Sequence, residues 1–177
     1  MVSIRPATPA DTDAMVRIQT DALRRRAAES YADAQLAALL PDGDVPDQEF
    51  ESTATNPVVA EIDGEIVGWG SLHLENDHSR GDAADDPQPV RAVLAATFVD
   101  PDHAERGVGT ALVERLLSVA RDAGCETVVV HASRNAVGFY EAVGFERIER
   151  IDVSGPDHED LELPGVVMRT VLSSSRT

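Results

Sequence analysis

Gly107 and Gly109 stand between two unlike patterns, and that junction limits what this chain can fold into. Before it, Val90–Val99 is a strongly apolar run that reads as a buried strand ending at Asp100-Pro101. After it, Val108, Leu112, Leu116 and Ala120 repeat at i+4 spacing, a helix over Gly107–Ala123 that stops at Gly124. Another buried-type strand follows at Thr127–Ala132, so the three elements form a parallel crossover. The start of such a helix attracts anions. Its first N–H groups lack intrahelical partners, and the helix dipole adds about half a positive charge there. Gly107 and Gly109 put no Cβ between the backbone and an approaching pyrophosphate, and Thr110 adds a hydroxyl.

The flanking sequence completes an α+β order. Val2–Arg5 reads as a strand, and Thr8-Pro9-Ala10-Asp11 as the start of a helix running through Met15, Ile18 and Leu23 to about Ala28. A second helix runs from Asp33 to Leu40, and a short one is expected over Gln48–Ala54. Val58–Ile62 and Glu65–Leu74 flank Asp63-Gly64, a hairpin signal. Asn76–Pro89 and Gly155–Glu162 read as acidic loops. A short helix over Ala136–Val143 closes at Gly144, and strands follow at Phe145–Val153 and Gly165–Leu172. The chain is expected to form one domain over residues 1–172, with 173–177 as a frayed tail.

Charge excludes several chemistries. The net charge is −17, and all 15 basic residues are Arg. Without Lys there is no Walker-A lysine, no pyridoxal Schiff base and no lysine base. So acidic a chain makes a poor nucleic-acid ligand, and it suits a surface solvated at high salt. Cys125 is alone, which excludes an intrachain disulfide and fits a reducing cytoplasm. The five His show no HxxxH or HxH spacing, so no metal site is expected. Met1–Thr20 has no apolar core of a signal peptide, and Ala92–Val99, the longest apolar-rich run, is under half a membrane span.

Two phosphate motifs fail. The P-loop needs the missing Lys, and the dinucleotide fingerprint needs a third glycine where Leu112 stands. A second segment is more informative: Ser133-Arg134-Asn135-Ala136-Val137-Gly138-Phe139-Tyr140-Glu141-Ala142-Val143-Gly144-Phe145. A strand ending Val99-Asp100-Pro101, then Arg106-Gly107-Val108-Gly109-Thr110-Ala111-Leu112, then this segment resembles the GNAT superfamily of acetyl-CoA-dependent N-acetyltransferases. Ile4-Arg5-Pro6-Ala7-Thr8 resembles its usual first strand and helix entry.

The resemblance implies a mixed, mostly antiparallel sheet of six to seven strands, flanked by helices and splayed at a central parallel pair. It implies acetyl-CoA as co-substrate, held along Thr97, Phe98 and Val99 and by the turn Glu105, Arg106, Gly107, Val108, Gly109 and Thr110. Ser133 falls where an Asn is frequent, and Asn135 lies nearby. Ala104 occupies a position that usually carries Gln or Arg, so one side-chain donor is missing. The implied reaction is direct attack of a neutral amine on the thioester. A backbone N–H near Val99 would stabilise the oxyanion, and Tyr140 would protonate the leaving thiolate, since a phenol of pKa ~10 matches a thiol. The competing reading of Tyr140 is a core aromatic beside Phe139 and Phe145.

No base is identified. Val128 stands where some members carry Glu, His131 reads as a core or helix-facing histidine, and Glu75 and Asp100 sit at strand ends. A water-relayed base is a further option. An amine acceptor is the implied partner, and the one protein partner left open is a second copy of the chain in a homodimer. Two other readings stand beside this one: a GNAT-like sensor that binds acyl-CoA without catalysis, and, more distantly, a dinucleotide-binding oxidoreductase domain.

Overall fold

The structure, a computed structural model, describes residues 1–22, 24–25, 50, 55–75, 91–133, 136–155 and 158–172. Its elements are β1 (Ser3–Pro6), α1 (Thr12–Ala22), β2 (Thr55–Ile62), β3 (Glu65–Glu75), β4 (Arg91–Val99), α2 (Val108–Asp122), β5 (Thr127–Ser133), α3 (Val137–Ala142), β6 (Glu146–Gly155) and β7 (His158–Val171). Single 3-10 turns at Pro9–Asp11 and Pro101–His103 precede α1 and follow β4. The strands form one seven-stranded sheet in the order β1-β2-β3-β4-β5-β7-β6. Every neighbouring pair is antiparallel except β4–β5. The α+β architecture with a central parallel pair is the one expected.

Two apolar layers sandwich the first half of the sheet. On one face α2 buries Val108, Leu112, Val113, Leu116 and Ala120 against Val67, Leu72, Ala92, Leu94, Val128 and Val130. The i+4 stripe read from the sequence is this buried face. On the other face α1 buries Met15 and Ile18 against Val59 and Trp69. Trp69 Nε1 donates to the Met15 carbonyl at 2.9 Å, which gives the buried indole its partner. Arg5 ties the entry of α1 to the sheet. It forks onto Asp11 at 2.8 and 2.9 Å and reaches Glu61 at 2.8 Å. Asp11 also accepts from the Thr8 N–H at 2.8 Å, and these contacts hold its carboxyl down at about 2, with Arg5 the largest cause.

A single extra residue reshapes β4. Ser71 pairs with Ala96 and Leu72 with Leu94, so Ala95 is a bulge. Side chains alternate between faces, so one inserted residue moves all that follow to the opposite side. Ala92 and Leu94 face α2. Without the bulge Phe98 would join them; instead it packs beside Trp69, with ring centroids 5.5 Å apart, and Val99 turns toward α2.

Beyond the bulge the parallel pair separates. β4 and β5 are registered from Arg91↔Thr127 to Leu94↔Val130. Past that point Ala96–Val99 remain with β3, while His131–Ser133 remain with β7. A wedge therefore opens at the centre of the sheet.

One expectation is corrected. Gly155–Glu162 is not a loop over its length: β6 extends to Gly155 and β7 begins at His158. Backbone pairing in a hairpin is indifferent to the acidic side chains that suggested a loop. The helices expected over Asp33–Leu40 and Gln48–Ala54 lie outside the described residues apart from Phe50, as do the loop over Asn76–Pro89, the remainder of the first helix toward Ala28 apart from Arg24 and Arg25, and the tail 173–177.

Candidate active site

The wedge brings together the ends of β4, α2 and α3. The bulge aims Thr97 and Val99 at the α2 side and Phe98 away from it. Tyr140, on α3, is 6% exposed and sits edge-on between Phe139 at 5.1 Å and Phe145 at 5.4 Å. Its phenol is hydrogen-bonded to the Thr97 side chain. Burial raises the phenol above its ordinary pKa of 10.0, and the Thr97 contact offsets part of that rise. The phenol is thus protonated at neutral pH and fitted to give a proton, not to take one. The two readings of Tyr140 are compatible: the ring is packed into the core, and its oxygen reaches β4.

The turn from β4 to α2 runs through two left-handed residues, Glu105 at φ 64° and Gly107 at φ 81°. Gly107 is the N-cap and has no side chain to occupy the helix start. Ala111 N–H donates to the Gly107 carbonyl at 3.0 Å, so the N–H groups of Val108, Gly109 and Thr110 precede the first helical bond. The Val108 side chain is in the core, whereas Glu105, Arg106 and Thr110 are exposed. Ser133 ends β5 at the wedge, and Asn135 lies outside the described residues.

The candidate bases are separated by the fold. Asp100 is 6% exposed and already engaged: Oδ1 accepts from the Asp102 N–H at 3.0 Å, and Oδ2 lies 3.5 Å from Arg17. His131 is neither in the core nor against a helix, contrary to expectation. It is exposed on the opposite face from Val128 and Val130, the face on which α1 packs against β3 and β4. The pairing of Arg17 with Asp100 was not legible from the sequence, and neither was the Thr97–Tyr140 bond, although both of its residues were named. No cluster of three or more potential metal ligands occurs among the described residues, and no described helix is long and apolar enough to cross a membrane.

Comparison with known proteins agrees with this geometry. Residues 15–145 match the acetyltransferase (GNAT) family, so the chain belongs to that family and is an acyltransferase. It is 29% identical over 153 residues to aminoglycoside N(6')-acetyltransferase type 1 of Stenotrophomonas maltophilia, covering 78% of this chain and 86% of that one. It is 35% identical over 89 residues to glucosamine 6-phosphate N-acetyltransferase of Trypanosoma brucei brucei, covering 49% of this chain and 55% of that relative. Its fold superposes with a TM-score of 0.69 on the PaiA N-acetyltransferase of Thermoplasma acidophilum in complex with coenzyme A, at 14% identity over 97% of this chain and 99% of that one.

Proposed function

We propose that this protein moves an acetyl group from acetyl-CoA to a primary amine of a small molecule or peptide by direct attack. The observation that carries the reading is the Tyr140 phenol bonded to Thr97 where β4 and β5 part, with the start of α2 adjoining the same strand end.

The residues present fit the coenzyme. Past the bulge β4 has a strand neighbour on one side only, which leaves backbone groups of Ala96–Val99 to pair with pantetheine amides as with a peptide. The N–H groups of Val108, Gly109 and Thr110 suit the pyrophosphate. When bound, the coenzyme supplies an activated thioester. The chain's own residues do the rest: a backbone N–H near Val99 stabilises developing negative charge, and Tyr140 holds a proton for the departing sulfur. With Asp100 engaged by Arg17, amine deprotonation through water suits the site best. The named relatives act on amino sugars, which favours a small-molecule acceptor.

The test is in two parts. A ligand at ~100 times its Kd stabilises by about 2.7 kcal/mol, so acetyl-CoA should raise Tm and NAD should not. Thiol release against a panel of amines should then report turnover. A shift with NAD alone would favour a dinucleotide domain, and a shift without turnover of any amine would favour a sensor.

A further inference from the structure

The face of the sheet turned away from α2 carries a groove of about 360 Å³ that the catalytic reading leaves unused. Its floor is Val129, 5% exposed, with Thr127 and Val167 beside it. Arg91, His131 and Arg169 line its walls, with Glu149 the one carboxylate among the lining residues. Strand register sets their order. Arg169 pairs across from Val129, and His131 across from Val167, so Arg169 and His131 are diagonal neighbours on one face. Arg169 is exposed and makes no ion pair among the described residues. Among the lining residues two Arg stand against Glu149, and Glu146 lies directly across from Arg169 on β6.

The groove also leads to the site. His131 is the first residue of β5 beyond the last registered pair, Leu94↔Val130, so it stands at the mouth of the wedge on the face opposite Thr97 and Tyr140. Whatever lies in the groove reaches the wedge from the side away from the α2 turn. From the row of His131 to that of Arg169 is two residues along β5, or about 7 Å.

We propose that this groove binds the anionic group of the acceptor, with Arg169 as its principal contact and Arg91 and His131 flanking it. The acceptor class is then a primary amine carrying a phosphate or carboxylate at least about 7 Å from its nitrogen. The amine enters the wedge past His131 while the anion stays on Arg169. This rests on the acetyl-transfer reading above and names the substrate class for it.

Matched pairs test it: glucosamine 6-phosphate against glucosamine, and 6-aminohexanoate against hexylamine, at fixed ionic strength. The wild type should favour the anionic member of at least one pair by about tenfold or more in kcat/KM, the size expected of a charge-assisted contact. Which pair responds tells phosphate from carboxylate. Arg169→Gln should bring that ratio close to one through KM, leaving the KM for acetyl-CoA unchanged. Arg147→Gln, on β6 and paired with Glu141, should keep the ratio. Equal kcat/KM within both wild-type pairs, or a ratio untouched by Arg169→Gln, overturns the inference. If no pair turns over, calorimetric titration of both anionic amines into the CoA-saturated protein decides: binding lost in Arg169→Gln supports the site, and no binding refutes it. Absence of an acetyl-CoA thermal shift would instead overturn the acetyl-transfer reading itself.

Discussion

The ring of Phe139 fills the space that a Cβ at Gly109 would need: its Cε2 and Cζ lie 3.2 Å from that position, with Val99 Cγ2 at 3.5 Å. A Cβ at Gly109 therefore needs the Phe139 ring to give by a few tenths of an ångström, independently of any pyrophosphate. Gly109→Ala gains helix propensity but must displace the Phe139 ring, which touches Tyr140 edge-on. The net effect should be a loss of about 1 kcal/mol and slower turnover. In a Phe139→Leu background the stability loss should disappear. A double-mutant cycle by denaturant unfolding measures the coupling, and additive effects would refute the contact.

Tyr140→Phe removes one oxygen and leaves the ring, so the protein should fold with Tm changed by a few degrees at most. If the phenol supplies the proton, single-turnover acetyl transfer should slow by ~10²-fold or more, with little change in acetyl-CoA affinity. Burial holds the phenol above 10, so the wild-type rate should show no loss from Tyr140 ionising between pH 7 and 10. A single-turnover rate within about threefold of wild type would mean that water protonates the thiolate.

Glu105 places a carboxylate in the left-handed region, on the turn proposed for the pyrophosphate. Glu105→Gly relieves backbone strain but makes the unfolded chain freer, so stability should change by less than about 1 kcal/mol. Acetyl-CoA should bind roughly three- to tenfold more tightly at 0.1 M KCl, because a like charge has gone. The gain should shrink at 2 M KCl, where the Debye length is under ~3 Å. Equal affinities at low salt, by calorimetry, would place Glu105 clear of the coenzyme.

Arg5 and Asp11 predict an acid limb. The carboxyl titrates at about 2 when folded, against 3.8 ordinarily, so the unfolded chain takes up the proton more readily. The pair's contribution is complete above pH ~4 and is lost as pH falls toward 2. Asp11→Asn should cost about 1–2 kcal/mol at pH 7, at the modest end because the Arg5 side chain is 39% exposed. The wild-type and variant unfolding energies should converge near pH 2; a constant difference from pH 7 to 2 would show that the ion pair is not its source.

Net charge gives the last expectation. At −17 the compact state repels itself, and salt screens that repulsion. Tm should rise steeply between 0.1 and 2 M KCl in scanning calorimetry. A flat profile would remove the high-salt interpretation of the acidic composition.

What the sequence disclosed depended on whether a feature leaves a mark in local pattern. The α2 stripe, the Asp63-Gly64 hairpin and the turn at Gly107 each have one, and each was found where expected. The bulge at Ala95 does not. Val90–Val99 is apolar at nearly every position, so no alternation exists whose phase could be seen to change. The same blindness hid the Thr97–Tyr140 bond, because the face Thr97 occupies is decided by that bulge. His131 was expected in the core or against a helix and is exposed, because where a helix lies over the sheet is a tertiary fact.

The parallel seam joins β1–β4 to β5–β7 through the stretch Arg91–Leu94 alongside Thr127–Val130 and no further. Each half-sheet thus ends, at the wedge, in backbone amides that face a gap. A guest bound there as proposed would act as a splice, extending the seam with its own amides and carrying hydrogen bonding across the divide. Occupancy should therefore be written into the amide exchange of Ala96–Val99 and His131–Ser133, two stretches far apart in the chain that would slow together, because what protects one is the same molecule that protects the other.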